Sequence, residues 1–273
     1  MELADAGGGG GRAQKLAARF AAKEACCKLF PKEICLGTIE PHDFSLSRDG
    51  YGQPHVVPSE RARAVLDVIA HLLVIRHGQS EWNVQERWQG HADIELTEAG
   101  INQARLAAER LGTFDYIASS QLQRALHTAQ IIAETHGVGP VVVDERLLES
   151  DVGPWQGLTR HQIEAQWPGY LNDRRKPDGF ESDESIVARS TAAFCDIAAS
   201  CVASASESMP TALIVSHSGV IRTLRHTLGA HNPKLHNLGG CWFFVHRNNR
   251  ITAGDIVSVI GDVSGDIAPT DSL

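Results

Sequence analysis

"LLVIRHGQSEWN", residues 72–83, carries four apolar residues straight into an arginine and a histidine before Gly78 interrupts the run. A short continuous apolar run that ends in a turn residue reads as a strand buried on both faces. Two side chains with chemistry at the end of such a strand invite a search for partners, and three later stretches follow the same grammar. In "IASSQLQRALHTA" (117–129) a strand ends at Ser119-Ser120 and Arg124 falls in the first turn of the helix that follows. In "RLLESDVGPWQG" (146–157) Glu149 leads into a Gly/Pro loop, and in "LIVSHSGVIR" (213–222) Ser216-His217 end a strand and Gly219 opens a helix.

Strand-like runs at 72–76, 115–120, 140–145 and 212–218 alternate with helical patterns at 97–112, 122–137, 184–203 and 219–229. Thr97 suits a helix N-cap, and Gly112 and Gly137 stand where C-caps belong. The chain then closes with "CWFFVH", a polar "RNNR" and "DIVSVI", which reads as a hairpin. The alternation predicts an α/β fold, a three-layer sandwich with a largely parallel central sheet flanked by helices. Ligands of such sheets bind beyond the carboxyl ends of the strands, where all four motifs fall.

Two arginines, two histidines and one carboxyl group gathered on one rim suit a phosphate monoester. Arginine presents a planar fork of donors to phosphate oxygens and stays charged at any working pH. The helix starts near Arg124 and Gly219 offer backbone N–H groups to an anion. A neutral imidazole attacks phosphorus and splits hydrolysis into two steps. A carboxylic acid opposite it protonates the departing alkoxide and then activates water. Taken singly, each residue has a plainer reading. Arg124 suits a surface i,i+4 pair, His217 a buried hydrogen-bonded histidine, and Asn83 a turn cap. Arg87 and Arg222 fit a pocket or a surface equally well, as do Trp82, Trp88 and Trp155 a pocket wall or ordinary packing. The remaining histidines, His91 and His226 among them, stand outside the motifs.

Composition narrows the partners. A formal net charge of -8 and a pI near 5.9 argue against nucleic acid or an anionic membrane surface. The apolar-rich stretch "AVLDVIAHLLVI" is short and interrupted by Asp67 and His71, so it offers no membrane span. Cys26, Cys27, Cys35, Cys195, Cys201 and Cys241 follow no C-x-x-C spacing, so neither a disulfide framework nor a zinc site is expected. Reduced thiols and the lack of a basic-then-apolar leader in "MELADAGGGGGRAQ" predict a cytoplasmic protein. No H-x-x-x-H or D-x-D spacing suggests a metal. The expected partner is a small phosphorylated metabolite, and oligomeric state is not readable.

"RHGQSEWN" resembles the R-H-G-[E/Q]-[S/T]-x-x-N signature of the histidine phosphatase superfamily, the phosphoglycerate mutase-like group. The resemblance runs in order through "RWQGHADIELTEAGINQA", "IASSQLQRALHTA", "ERLLESDVGPWQGLT" and "LIVSHSGVIR", covering 72 to about 262. It implies a metal-free, cofactor-free mechanism with His77 as phosphorylated nucleophile and Glu149 as proton donor. It also implies a substrate-binding set of Arg76, Asn83, Arg124, His217 and Ser218. The expected activity is hydrolysis of a phosphomonoester, with phosphoglycerate mutase as the alternative. The segment after Glu149 is compact, whereas mutases carry more sequence there and at the C-terminus. One stretch departs from the family: "DGFESDES" (178–185) puts Phe180 where the family's G-G-E-S has a glycine.

The front of the chain has another texture. "RFAAKEACCKLF" resembles the F/W-x-x-K-E-A-x-x-K segment of 4'-phosphopantetheinyl transferases, in which Glu24 would help hold magnesium and Lys23 assist the chemistry. The metal-binding aspartates expected upstream are replaced by a glycine run. The expectation is therefore a non-catalytic partial segment over 1–70, a histidine phosphatase domain over 71–262 and a tail over 263–273, with a phosphopantetheinyl-transferase-related binding module as the remaining alternative function.

Overall fold

The computed structural model describes residues 41–48, 54–59, 67–205 and 209–261. The chain divides into two units between Val68 and Ile69. In the first, β1 (Phe44–Arg48) and β2 (Pro54–Pro58) pair antiparallel, Phe44 opposite Pro58 and Arg48 opposite Pro54. In a two-stranded ribbon both strands are edges, where a proline's missing N–H is tolerated. These are the extended pieces expected within 40–57. Their Asp49-Gly50 turn, the helix expected over 12–30 and the tail from 263 lie outside the described residues.

The second unit begins on β3 (Val68–Arg76). In chain order follow α1 (Glu81–Val84), α2 (Glu98–Arg110), β4 (Tyr116–Ser119), α3 (Gln123–His136) and β5 (Val142–Val143). Then come α4 (Arg160–Gln166), α5 (Asp183–Ser204), β6 (Thr211–Ser216), α6 (Ser218–Thr227), β7 (Gly239–His246) and β8 (Ile251–Ser258). The sheet order is β5-β4-β6-β3-β7-β8. β3, β4, β5 and β6 run parallel, and β7–β8 is the antiparallel hairpin.

The period-two alternation of β3 sends its side chains into two separate cores. Leu72 and Val74 pack with Phe194 and Ile197 of α5 and Ile221 and Leu224 of α6. Leu73 and Ile75 pack with Ala107 of α2 and Ala125, Ala129 and Ile132 of α3. A strand covered on both faces must be apolar throughout, which is what the opening run provides. The expected three-layer sandwich is the observed one. α5 is long and apolar enough to cross a membrane by length and composition, but Ile186, Ala193, Phe194 and Ile197 spend its apolar side in the core.

Local differences have local causes. The strand expected over 140–145 shrinks to Val142–Val143, because an edge strand with one neighbour gains little from length. Thr97 caps α2, accepting from the Gly100 N–H at 3.0 Å, but the helix ends on extended Leu111, so Gly112 makes no left-handed turn. Gly137 does make one, at φ 64°. α4 was not anticipated; it is a short helix launched by a capping box between Thr159 and Gln162.

Two glycines bring α2 against the loop after β3. A Cβ on Gly78 would lie 2.6 Å from the Gly100 carbonyl oxygen, and one on Gly100 would run into the Gln79 backbone. The histidine loop and the first turn of α2 thus touch backbone to backbone.

Candidate active site

His77 leaves β3 with both backbone groups engaged. Its N–H donates to the Ser216 carbonyl at 3.1 Å, and its carbonyl accepts from Asn237 Nδ2 at 3.0 Å. The ring Nδ1 sits 2.6 Å from the Gly78 carbonyl. A carbonyl only accepts, so Nδ1 carries the proton and Nε2 keeps the lone pair. Arg76, one residue back, donates from Nη1 to the Leu235 carbonyl at 2.8 Å.

β6 runs beside β3 in parallel register, Arg76 opposite Ser216, so the two strand ends deliver His77 and His217 side by side. Their rings meet edge to face, 5.3 Å between centroids, at 2 % and 0 % exposure. Arg124 is equally buried. Its Nη1 donates to Ala92 at 2.7 Å and its Nη2 to Gly90 at 3.0 Å. Glu149 reaches in from the loop after a 3₁₀ turn (Glu145–Leu147), Oε1 accepting from the Ser150 N–H at 2.9 Å and Oε2 from Gly219 at 3.3 Å. Arg76, His77, Asn83, Arg124, Glu149 and Ser218 all line one cavity of about 230 Å³, with His217 packed on His77 behind it.

Among the described residues, Arg124 Nε, both ring nitrogens of His217 and Ser218 Oγ are buried here without a hydrogen-bond partner. Leaving such groups unsatisfied costs roughly 1–3 kcal/mol each. Their concentration in one place marks a site built for an oxygen-rich ligand. Asn83 divides its labour. Its Oδ1 accepts from the Ser80 N–H and hydroxyl, both at 3.0 Å, as the N3 partner of a capping box, which leaves the amide nitrogen for the cavity.

The helix starts differ from expectation. The Gln123 N–H at the start of α3 is spent on Asp93 Oδ1 at 2.7 Å, and the Gly219 N–H faces Glu149. His91, which sequence reasoning left aside, donates from Nε2 to the Glu149 carbonyl at 2.8 Å. Trp88 and Phe180 wall the cavity, while Trp155 is fully buried in a satellite core with Ile163 and Leu171. Phe180 has ordinary backbone geometry, and its ring packs edge to face on Trp155 at 5.6 Å.

Arg189 of α5 has no counterpart in the motifs, yet it clasps the loop that holds Glu149. Its Nη1 donates to the carbonyls of Arg146 and Leu148 at 2.8 and 2.7 Å, and its Nη2 to that of Glu149 at 3.2 Å. Its remaining donors meet both oxygens of Glu181, at 2.8 and 2.9 Å, and Glu181 also accepts from the Asp151 N–H. Glu181 is thus a loop anchor with its carboxylate already occupied. Among the described residues no cluster of His, Cys, Asp and Glu has metal-holding geometry.

Burial first, then the charge of Arg124, hold both His77 and His217 well below the usual imidazole value; Arg76 adds to this, and the Gly78 carbonyl opposes it at His77. Both rings are therefore neutral in the fold. Below about pH 6.5 the unfolded chain takes up protons that the fold refuses, so stability must fall as pH falls, by up to about 1.4 kcal/mol per pH unit per histidine. His71, lowered by burial, acts in the same direction. Stability measured by denaturant unfolding from pH 8 to 5 is expected to decline from near pH 6.5, and less steeply in His77→Ala. A flat profile would contradict the buried neutral pair.

Residues 72–241 match the histidine phosphatase superfamily (branch 1). A glucosyl-3-phosphoglycerate phosphatase of Mycobacterium tuberculosis is 40% identical over 166 residues, 58% of this chain and 74% of that protein. The phosphoglycerate mutase-like protein 4 of Arabidopsis thaliana is 35% identical over 165 residues, 57% of this chain and 69% of its own length. The structure of mycobacterial glucosyl-3-phosphoglycerate phosphatase with inorganic phosphate superposes with a TM-score of 0.61 at 32% identity, covering 70% of this chain and 99% of that one. With the family match spanning more than half of its length, this chain belongs to the histidine phosphatase superfamily, branch 1.

Proposed function

We propose that the protein hydrolyses a small phosphomonoester through a phosphohistidine on His77. The observation that carries this is the neutral His77 ring, its Nδ1 proton held by Gly78 and Nε2 free, packed on His217 beside the buried Arg124. In the first step the Nε2 lone pair attacks phosphorus, the P–O ester bond breaks, and Glu149 in its acid form gives its proton to the leaving oxygen. In the second, the Glu149 carboxylate takes a proton from water, the water oxygen attacks phosphorus, and the P–N bond breaks. Arg76, Arg124, His217, Ser218 and Asn83 hold the equatorial oxygens, where the transition-state charge develops.

The names of the relatives support esters of phosphoglycerate type as first candidates. The reading places catalysis in residues 71–262, with 1–70 as a non-catalytic attachment. The thiols of Cys195, Cys201 and Cys241 are free, which accords with a cytoplasmic protein. Mutase chemistry is the second reading, favoured by the similarity to the Arabidopsis protein. Phosphate release from a panel of esters, run with chelator beside a 2-/3-phosphoglycerate interconversion assay, separates the two. Release with slow interconversion is expected, and fast interconversion with little free phosphate would overturn it.

A further inference from the structure

The segment that carries Glu149 lies outside the sheet, and side chains hold its backbone. Four carbonyls in succession accept from them. Those of Arg146 and Leu148 accept from Arg189 Nη1 at 2.8 and 2.7 Å, and that of Glu149 from Arg189 Nη2 at 3.2 Å. The Leu147 carbonyl accepts from the Ser216 hydroxyl at 2.9 Å, and His91 is a second donor at Glu149. Three of the four thus rest on one guanidinium, in the second turn of α5. That group is planar and rigid, so whatever fixes one edge of it fixes the donors aimed at the loop.

The Glu149 carboxyl is held in another way. Its oxygens accept only from the backbone N–H groups of Ser150 and Gly219, at 2.9 and 3.3 Å, and no described side chain bonds to it. A cation bonded to a carboxyl favours the anion, which works against a group that must arrive with a proton and give it up. Arg189 fixes this residue by its main chain instead, and does so with its own charge answered. Its Nε and Nη2 meet the two Glu181 oxygens at 2.8 and 2.9 Å, in a pair whose side chains are 18 % and 13 % exposed. Glu181 also accepts from the Asp151 N–H at 3.2 Å and the Ser185 hydroxyl at 2.9 Å. The chain on both sides of Glu149 is thereby tied to the start of α5.

We infer that Arg189 is a positioning residue for proton transfer, setting how the Glu149 carboxyl meets the leaving oxygen of the ester. This rests on the phosphomonoesterase reading and deepens it, since it gives the acid step a support outside the cavity. Arg189 does not line that cavity, so its effect passes through Glu149. A misplacement of about 1 Å transmitted from outside a site costs on the order of 10²-fold in rate. The loss must show where the proton matters. An alkoxide leaves poorly unless protonated, whereas a nitrophenolate departs without help, so the loss grows with the basicity of the leaving oxygen.

Benzyl phosphate and 4-nitrophenyl phosphate are similar in size and differ in that basicity. The readout is kcat/KM, which covers only the steps up to release of the alcohol. Arg189→Lys keeps a charge for Glu181 but cannot serve three carbonyls and a carboxylate from one ammonium. In it the 4-nitrophenyl over benzyl ratio of kcat/KM is expected to rise about tenfold or more, with Kd for inorganic phosphate within about threefold of the parent. Glu149→Gln should raise the same ratio, and adding Arg189→Lys to it should change the ratio by less than about twofold, because nothing is left to position. Should Arg189→Lys fail to fold, Glu181→Gln decides. It keeps the guanidinium and loosens its anchor, and a rise of about threefold is expected. Equal losses on both esters, or losses that multiply in the double variant, overturn the positioning role. If Glu149→Gln itself loses equally on both esters, or neither ester releases phosphate, the proton-donor reading fails first and the inference falls with it.

Discussion

His77→Ala is expected to release phosphate from a generic aryl ester at least ~10²-fold more slowly than the parent protein, the loss that follows from removing a covalent nucleophile. The substitution deletes the ring alone. The backbone bonds from His77 to Ser216 and from Asn237 to His77 remain available, so the loop has no reason to move. Two further readouts separate chemistry from collapse. Rapid quench of the parent with labelled ester should trap an acid-labile, base-stable phosphoprotein that the variant fails to form. The variant should also keep its affinity for inorganic phosphate, since the arginines are untouched. Turnover within tenfold of the parent would remove His77 from the covalent role.

Arg124→Lys carries the second largest expected effect, a fall of about 10²–10³ in kcat/KM, the scale of losing one preorganised transition-state donor. The substitution keeps the charge and still fails, because what matters is the planar fork. Two of its arms are committed to Ala92 and Gly90, and Nε is the buried donor left without a partner. A lysine ammonium cannot bond both carbonyls and the ligand from one rigid plane. Burial lowers the Arg124 pKa to about 10, with Glu149 and Asp93 opposing the shift, so the guanidinium stays protonated at neutral pH. Arg124→Met, which removes the charge and leaves both carbonyls unpaired, should lose activity and also 1–3 kcal/mol of stability on the order of one buried unsatisfied group. Arg124→Lys activity within tenfold of the parent would show that position 124 supplies charge without geometry.

The strand ends were legible because burial and chemistry leave opposite marks on a sequence. Leu72 to Ile75 must be apolar to fill two cores, so Arg76-His77 directly after them stand out, and Ser216-His217 repeat the contrast on the neighbouring strand. What escaped was contributed by residues whose role depends on distant backbone. Leu235 serves Arg76 with a carbonyl, which any residue type supplies. Asn237 braces His77 across more than 150 positions of chain. Arg189 looks in sequence like one more cation on a helix, and only the fold brings the Glu149 loop beneath it. The α3 start was expected to hold an anion, but Asp93, thirty residues earlier, fills it.

Arg124 is gripped by two main-chain carbonyls, with no carboxylate within ion-pair distance among the described residues. Its orientation is therefore secured without cancelling its charge, and that charge acts on whatever anion arrives. Such a grip makes no distinction between an ester and the free phosphate left after turnover. The hold that favours reaction also retards departure, so rising phosphate would slow the protein and, by mass action, stabilise its fold in the same gesture.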